Sequence, residues 1–282
     1  MGKRIRVNKY SIPDVFEVIE NVDEILVQNL DHIAFTGERL VLNQNVKQNY
    51  RTCMNGHLLN YKFASEFVKG KSVLDAACGS GYGTKMLELA GAARVTGIDI
   101  SEEAVINAMQ IYKGERSEFI TADIHKLPFV DKSYDIIISF ETIEHIDDGA
   151  IWLQESARVL KDDGILIISS PNREVTEPGL YFDEQPTNPY HKHEYNIGEF
   201  VGELLAEYDL LELYGQGFRH EYHHLITKAL RRMIKRKDVE YLPSYIPREC
   251  KVEYNKLIAM RLLKDAKPMG LVAVCKKKSI NY

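Results

Sequence analysis

An open, mostly parallel, doubly wound α/β sheet is the fold this sequence predicts, and three observations predict it. Short apolar segments alternate with helical stretches from about residue 72 onward, the pattern of a parallel sheet with crossover helices. A turn with glycine at every second position, Gly79-Ser80-Gly81-Tyr82-Gly83, follows directly on the first of these segments. The next two segments end in carboxylates, Asp99 and Asp123, at the strand ends where such sheets bind ligands.

The elements are justified in order. The apolar positions Val15, Val18, Ile19, Val22, Ile25, Leu26 and Leu30 predict an amphipathic helix over Pro13–Leu30, and His57–Val68 predicts another. Residues 1–60 are expected to form an N-terminal helical lid or cap, with the core spanning 61–282. Tyr61 lies just ahead of the glycine turn, where it either contacts a ligand or packs in the core. Val73-Leu74-Asp75-Ala76-Ala77 is the first strand and Thr84–Ala90 its helix. Arg94–Asp99 is the second strand, and Ser101 caps the helix after it, with Glu102 and Glu103 in the positive first turn. Glu118–Thr121 is the third strand and Tyr134–Phe140 the fourth, apolar nearly throughout as central parallel strands are. The helix Asp147–Leu160, the strand Gly164–Ser169, the helix Ile197–Tyr208 and the strand Asp209–Gln216 follow. A long connection, 170–195, is rich in Pro, Asn, Tyr and His. Residues 218–266 read as a partly helical insertion before the last strand, Met269–Cys275.

At 282 residues, with 45% hydrophobic residues, the chain has material for one large core. A net charge of −5 gives no general attraction to nucleic acid or to anionic membranes. Cys53, Cys78, Cys250 and Cys275 are too scattered for a metal motif or a disulfide framework and fit a reducing compartment. No apolar h-region follows Met1-Gly2-Lys3-Arg4, and no apolar run approaches the roughly 18 residues of a membrane span. A cytoplasmic enzyme is expected.

The strand ends suggest chemistry. A strand, a tight glycine turn and a helix N-terminus bring bare backbone and free N–H groups to a ligand. A carboxylate at Asp99 suits the two hydroxyls of a ribose. Asp123 and the Ile124 backbone suit an adenine edge, with Ile100 and Phe140 on the two faces of the ring. A nicotinamide oxidoreductase is the competing reading. Its loop is Gly-x-Gly-x-x-Gly, however, whereas the glycines here are spaced two and two. Asp75, just ahead of the loop, also suits an ammonium better than a pyrophosphate.

The run Asp75-Ala76-Ala77-Cys78-Gly79-Ser80-Gly81-Tyr82-Gly83, with Asp99 and Asp123-Ile124 at the following strand ends, resembles the class I S-adenosylmethionine-dependent methyltransferases. Phe140-Glu141-Thr142-Ile143-Glu144-His145-Ile146 looks like the Glu-His segment of one large branch. The resemblance covers about residues 60–216 and the last strand. It implies a Rossmann-like, seven-stranded sheet with the final strand antiparallel, and S-adenosylmethionine as cofactor. The cofactor would be held by Tyr61, Asp75, Ala77, Gly79, Gly81, Asp99, Ile100, Asp123, Ile124 and Phe140.

The methyl acceptor is less legible. A hydroxyl acceptor needs a base, and His145, just past the fourth strand, is the first candidate, unless it ties the loop by hydrogen bonding. His191 and His193 are the second, in Asn188-Pro189-Tyr190-His191-Lys192-His193-Glu194-Tyr195. This stretch and Gly37-Glu38-Arg39-Leu40 look similar to methyltransferases that modify sugars and polysaccharides. The two histidines with Glu194 or Asp183 are a conceivable metal set, but the spacing fixes no third ligand and no metal is expected. Ser139-Phe140-Glu141-Thr142 stands where amino-methyltransferases of bases and amides carry (Asp/Asn/Ser)-Pro-Pro-(Tyr/Phe). Lys228, Arg231, Arg232, Lys235, Arg236 and Lys237 form a basic cluster on an expected helix. That cluster is a solvated face, a clamp for a phosphorylated acceptor, or a peripheral membrane patch. The expectation is O-methylation of a sugar, glycan (phosphorylated or nucleotide-linked among them) or small metabolite. N-methylation of a small amine or phosphoamine and a catalytically inactive binding module are the alternatives. No nucleic-acid partner is expected, and the 218–266 insertion is a candidate oligomer contact.

Overall fold

Valine, leucine and isoleucine at successive positions of five segments leave no polar face for water, so these segments lie inside a sheet covered on both sides. The computed structural model describes residues 4–7, 10–13, 15–17, 40–42, 51–220, 256–262 and 266–279. In chain order the strands are β1 (Arg4–Val7), β2 (Tyr10–Pro13), β3 (Val15–Glu17), β4 (Ser72–Ala76), β5 (Arg94–Asp99), β6 (Ser117–Thr121), β7 (Tyr134–Ser139), β8 (Leu160–Pro171), β9 (Tyr208–His220), β10 (Lys256–Ala259) and β11 (Ala266–Lys277). The helices are α1 (Arg51–Ser65), α2 (Tyr82–Leu89), α3 (Glu102–Ile111), α4 (Gly149–Val159), α5 (Arg173–Thr176) and α6 (Ile197–Leu204).

The main sheet has nine strands in the order β3-β10-β9-β11-β8-β7-β4-β5-β6, and β1 pairs with β2 apart from it. From β8 to β6 the neighbours are parallel. The final strand, β11, is antiparallel to both β8 and β9 and sits between them. The seven expected strands, with the last one antiparallel, are thus present, and β10 and β3 extend the sheet beyond β9.

Alternation along the strands divides the core into two layers. Val73, Ile136, Ile138, Ile165 and Ile167 face α1 and α2, with Phe63 and Met86. Leu74, Ile137, Leu166 and Ile168 face Trp152 of α4 and Phe200 of α6. The cap that the sequence reading names is present, Ser101 Oγ accepting from Ala104 N–H at 3.3 Å; Asp148, which it does not name, caps α4 by accepting from Ile151 N–H at 3.0 Å. Asn196 closes a capping box with Glu199 at the start of α6.

The N-terminal part departs from expectation. Where the apolar spacing predicts a helix from Pro13, Val15–Glu17 is instead a strand paired antiparallel to β10, Phe16 opposite Leu257. Proline fixes φ and has no N–H, β-branched valine favours extended backbone, and the free edge of β10 supplies partners. Phe16 then packs on Phe63 with ring centroids 5.5 Å apart. Residues 18–30 lie outside the described residues. Helix α1 begins six residues earlier than predicted and straddles the expected boundary at residue 60. Strand β9 runs on to His220, and β10 falls inside the expected insertion. The basic cluster 228–237 lies outside the described residues. No helix among the described residues is long and apolar enough to cross a membrane.

Candidate active site

The loop after β4 is shaped by backbone. Ala77, Gly79 and Gly81 all have positive φ, 58°, 55° and 99°. A Cβ on Gly81 would stand 2.5 Å from Ala108 Cβ, so α3 lies against the turn and only glycine fits. Cys78 N–H donates to Ile98 O at 2.8 Å, tying the turn to β5. No side chain caps α2 at Gly81, which leaves the first N–H groups of that helix directed at the loop. Asp99 holds the neighbouring strand end: its Oδ2 accepts from Gly79 N and its Oδ1 from Ser101 N, both at 2.9 Å. Ile100, next to it, is 73% exposed, an apolar platform at the mouth. Leu40-Val41-Leu42 is buried, and the Leu40 carbonyl accepts from Ser80 Oγ at 3.3 Å, so this upstream segment covers the turn.

Asp75 sits beneath the loop with no exposed surface. Tyr61 Oη donates to its Oδ1 at 3.0 Å and Thr84 Oγ1 to its Oδ2 at 2.6 Å. Burial raises its pKa from 3.8 to about 6, against these two hydrogen bonds, which favour the charged form. Burial likewise pushes the Tyr61 phenol up, so it stays a donor. The Tyr61 ring meets Tyr82 and Phe140 edge-on, at 5.5 and 5.0 Å between centroids.

A second cluster lies past β7 and β8. Glu141 has φ 48°, a strained value for a side-chain-bearing residue at a strand end. Its N–H donates to Ser169 Oγ at 2.9 Å, and Ser169 Oγ donates back to its Oε1 at 2.6 Å. Glu144 is 1% exposed. Burial and the neighbouring Glu141 raise its pKa well above the ordinary carboxylate range. His145 Nδ1 lies 3.1 Å from the Tyr190 carbonyl. His191 Nδ1 lies 2.7 Å from Glu194 Oε1. The two imidazoles meet at 4.7 Å between centroids, nearly perpendicular. Lys192 N–H donates to the Glu144 carbonyl at 2.7 Å, clamping the 170–195 connection onto the post-β7 turn. His57 of α1 links the two clusters: its Nδ1 is 3.3 Å from Tyr82 Oη, and burial followed by the nearby His145 lowers its pKa to about 4.

Comparison with known proteins bears on this cleft. The family described as "Methyltransferase domain" matches residues 74–168. A Mycobacterium tuberculosis protein named as a probable S-adenosylmethionine-dependent methyltransferase is 34% identical over 173 residues, 61% of this chain and 60% of that protein. The chain therefore spans less than two thirds of that relative's length. A ubiquinone biosynthesis O-methyltransferase of Hydrogenovibrio crunogenus is 27% identical over 198 residues, 66% of this chain and 80% of that protein. Among solved structures, an S-adenosylmethionine-dependent methyltransferase from Mesorhizobium loti superposes with a TM-score of 0.53, 16% identity, over 78% of this chain and 97% of that one.

From β4 through most of β8 the chain thus matches a methyltransferase domain.

The relatives' names give S-adenosylmethionine as their cofactor, and the strand ends of this chain suit it. The uncapped start of α2 and the glycine turn fit the amino-acid end, Asp99 fits a ribose, and exposed Ile100 fits an apolar ring face. The remaining sequence-predicted residues fall as follows. Ile124 is buried. Asp123 is half exposed, and its Oδ1 accepts from His125 N–H at 2.9 Å. This hydrogen bond, the largest of several to the same neighbour, holds its pKa below the ordinary value. Phe140 is buried against Tyr61, so the structure sets it beside the Asp75 end of the loop rather than as an open face opposite Ile100. Asp75 reaches the methyltransferase loop through Tyr61 and Thr84 and has no surface of its own there. Of the three histidines, His145 and His191 come together, while His193 packs between Phe182 and Tyr195 at 5.1 and 4.5 Å.

The sequence reading places Glu141 and Glu144 in the segment after β7 without giving them a role, and it misses His57 as a member of the second cluster. The positive φ of Glu141 leaves no mark in composition. The pairing of His57 with Tyr82 spans 25 positions. Only Glu144, next to His145, carried a local signal.

Proposed function

We propose that this protein transfers a methyl group from S-adenosylmethionine to an oxygen of a sugar, a glycan or a small metabolite. The observation that carries the reading is the imidazole–carboxylate cluster of His145, His191, Glu141, Glu144 and Glu194, placed at the ends of β7 and β8 beside the cofactor loop. S-adenosylmethionine supplies an activated methyl group, so the protein mainly has to position the acceptor, an effect that contributes roughly 7–11 kcal/mol in well-oriented systems. A hydroxyl must also lose its proton, which is work for a base; a neutral amine has no such need. His145 Nε2 is the atom that takes this proton, because its Nδ1 is engaged by the Tyr190 carbonyl. Exposed Tyr181, Phe182 and Tyr190 of the 170–195 connection offer apolar and stacking surface for the acceptor. A relative named as an O-methyltransferase of ubiquinone biosynthesis supports oxygen as the acceptor atom; the resemblance of 188–195 to sugar-modifying enzymes supports the acceptor class.

The test has two stages. Calorimetric titration should show micromolar S-adenosylmethionine binding, and its absence would sink the account. A screen of nucleotide sugars, phosphorylated sugars, phenols and amines for S-adenosylhomocysteine release should then find hydroxyl acceptors. Turnover confined to amines would replace oxygen by nitrogen.

A further inference from the structure

We propose that Glu144, His145 and His191 form a binding site for one divalent transition cation, of the zinc, cobalt or iron(II) class. One ligand atom from each residue falls in a group whose members all lie within 4.8 Å of one another. Ligands about 2.0–2.2 Å from a shared ion stand roughly 3–4 Å apart, so the trio needs only a small inward movement.

Three features set this cluster apart from an ordinary polar contact. The first is the state of the imidazoles. A backbone carbonyl only accepts, so the His145 Nδ1 near the Tyr190 carbonyl carries the hydrogen. Likewise His191 Nδ1 donates to Glu194 Oε1. In each neutral ring the lone pair is then on Nε2, and a second atom fixes the ring, as around metal-bound histidines. The second is Glu144. Its carboxylate is 1% exposed, yet Oε2 has no hydrogen-bond partner, while Oε1 lies 3.9 Å from His145 Nε2. A buried carboxylate oxygen with no donor is unfavourable unless something positive meets it. The third is access: the side chains of His145 and His191 are 20% and 13% exposed, so one side of the trio opens to the cleft.

Two imidazoles and one carboxylate select borderline metals over magnesium or calcium, which prefer all-oxygen sets. Three protein ligands leave coordination positions open, as catalytic sites do. A hydroxyl occupying such a position loses its proton more readily. This role rests on the O-methylation proposed above; the cation site itself rests on geometry alone. Where the cation is bound, His145 Nε2 is a ligand; the ion would lower the pKa of the hydroxyl, and the proton would leave to solvent on the open side of the trio in place of transfer to the imidazole.

The test is a direct titration of the full chain, stripped of metal, with Zn²⁺, Co²⁺ and Mg²⁺, without cofactor or acceptor. One Zn²⁺ or Co²⁺ per chain should bind at micromolar concentration or tighter, bound Co²⁺ should absorb in the visible, and Mg²⁺ should need millimolar concentration. Glu144→Gln and His191→Ala should abolish tight binding, and Glu194→Gln should weaken it about 10–100-fold through His191. Zn²⁺ should raise the melting temperature of the wild-type chain and of none of the ligand variants. Wild-type binding no tighter than for Mg²⁺ would overturn the site. So would full-strength Zn²⁺ binding in a folded Glu144→Gln variant. Since the readout uses neither cofactor nor turnover, a chain that binds zinc but not S-adenosylmethionine would remove methyl transfer and leave the cation site standing.

Discussion

On the cofactor side of the cleft, Asp99 accepts from two backbone N–H groups, one of them only two residues away, and the loop is held by its own turns and by α3. On the acceptor side, side chains from α1, the post-β7 turn, the end of β8 and the 170–195 connection meet one another. The first half is backbone geometry written by a short run of sequence. The second is a tertiary assembly. A mutation on the acceptor side should therefore change turnover without touching cofactor affinity, whereas one in the loop should change fold and cofactor affinity together.

The largest expected effect is on the acceptor side. His145→Ala should lower kcat by about 10²–10⁴-fold, the usual worth of a proton-transfer group, with S-adenosylmethionine affinity unchanged by calorimetry. A parallel loss of cofactor affinity would break the division between the two halves. Next is Gly83→Ala. Within a helix this exchange normally stabilises by about 1 kcal/mol. Here the new Cβ would stand 2.0 Å from Tyr61 Cζ. Overpacking of this kind costs about 1–3 kcal/mol and here should be at the upper end, because the ring is also held by Asp75. The clash wins: the melting temperature should fall and cofactor binding weaken, both from one methyl group. An unchanged melting temperature would show that the ring yields freely.

The two halves are also opposed in how they titrate. In the folded protein Asp75 keeps its proton up to about pH 6, against 3.8 ordinarily. Its contribution is present at low pH and is lost as pH rises through about 6. His57 has its pKa lowered from 6.5 to about 4. The folded state then binds fewer protons than the unfolded one, and stability falls as pH drops below 6.5. Between about pH 4 and 6 the two slopes oppose each other, each worth on the order of 2–3 kcal/mol at full burial and less for partly open His57. Asp75→Asn should leave a chain that loses stability on acidification over this window. His57→Asn should leave one that gains it. Urea unfolding at pH 4.5 and 6.5 checks both, and equal slopes in the two variants would refute the opposition.

This division also explains what the sequence made legible. The strands β4–β8, the Ser101 cap, the glycine turn and Asp99 each depend on residues close in the chain or on a periodicity that survives in isolation. The strand Val15–Glu17 depends on the edge of β10, more than 230 residues downstream in pairing, so a helical spacing of valines misled. His57, Ser169 and Glu141 acquire meaning only when β7 and β8 are neighbours and α1 is laid across the loop. His193 carried the same local signal as His191, and nothing in the residues alone told the two apart.

Tyr61 stands on the seam and should behave as a cofactor-side residue. Tyr61→Phe keeps the ring against Gly83 and Phe140 but removes one of the two donors to Asp75. The loss should be about 1–2 kcal/mol by denaturant unfolding at neutral pH, where the carboxylate needs both donors, and smaller at pH 4, where it is protonated. A loss that does not depend on pH would place the effect in packing.

The smallest effect is expected at His193, and it sharpens the division on the acceptor side itself. Its ring is packed between Phe182 and Tyr195, its Nε2 is buried with no partner, and burial lowers its pKa. A side chain held neutral, unpartnered and between aromatic rings is packing with a polar atom left over. Exchanging such a group for an apolar one of similar shape is close to neutral in stability or mildly favourable. His193→Phe should therefore change unfolding free energy by less than about 1 kcal/mol, since it nearly conserves shape. It should also leave kcat at the wild-type level, while His191→Ala lowers it. Two histidines two positions apart would then differ in turnover because one faces Glu194 and His145 and the other is packed between rings. A His193→Phe chain as slow as His191→Ala would mean that the whole 188–195 segment acts as one unit.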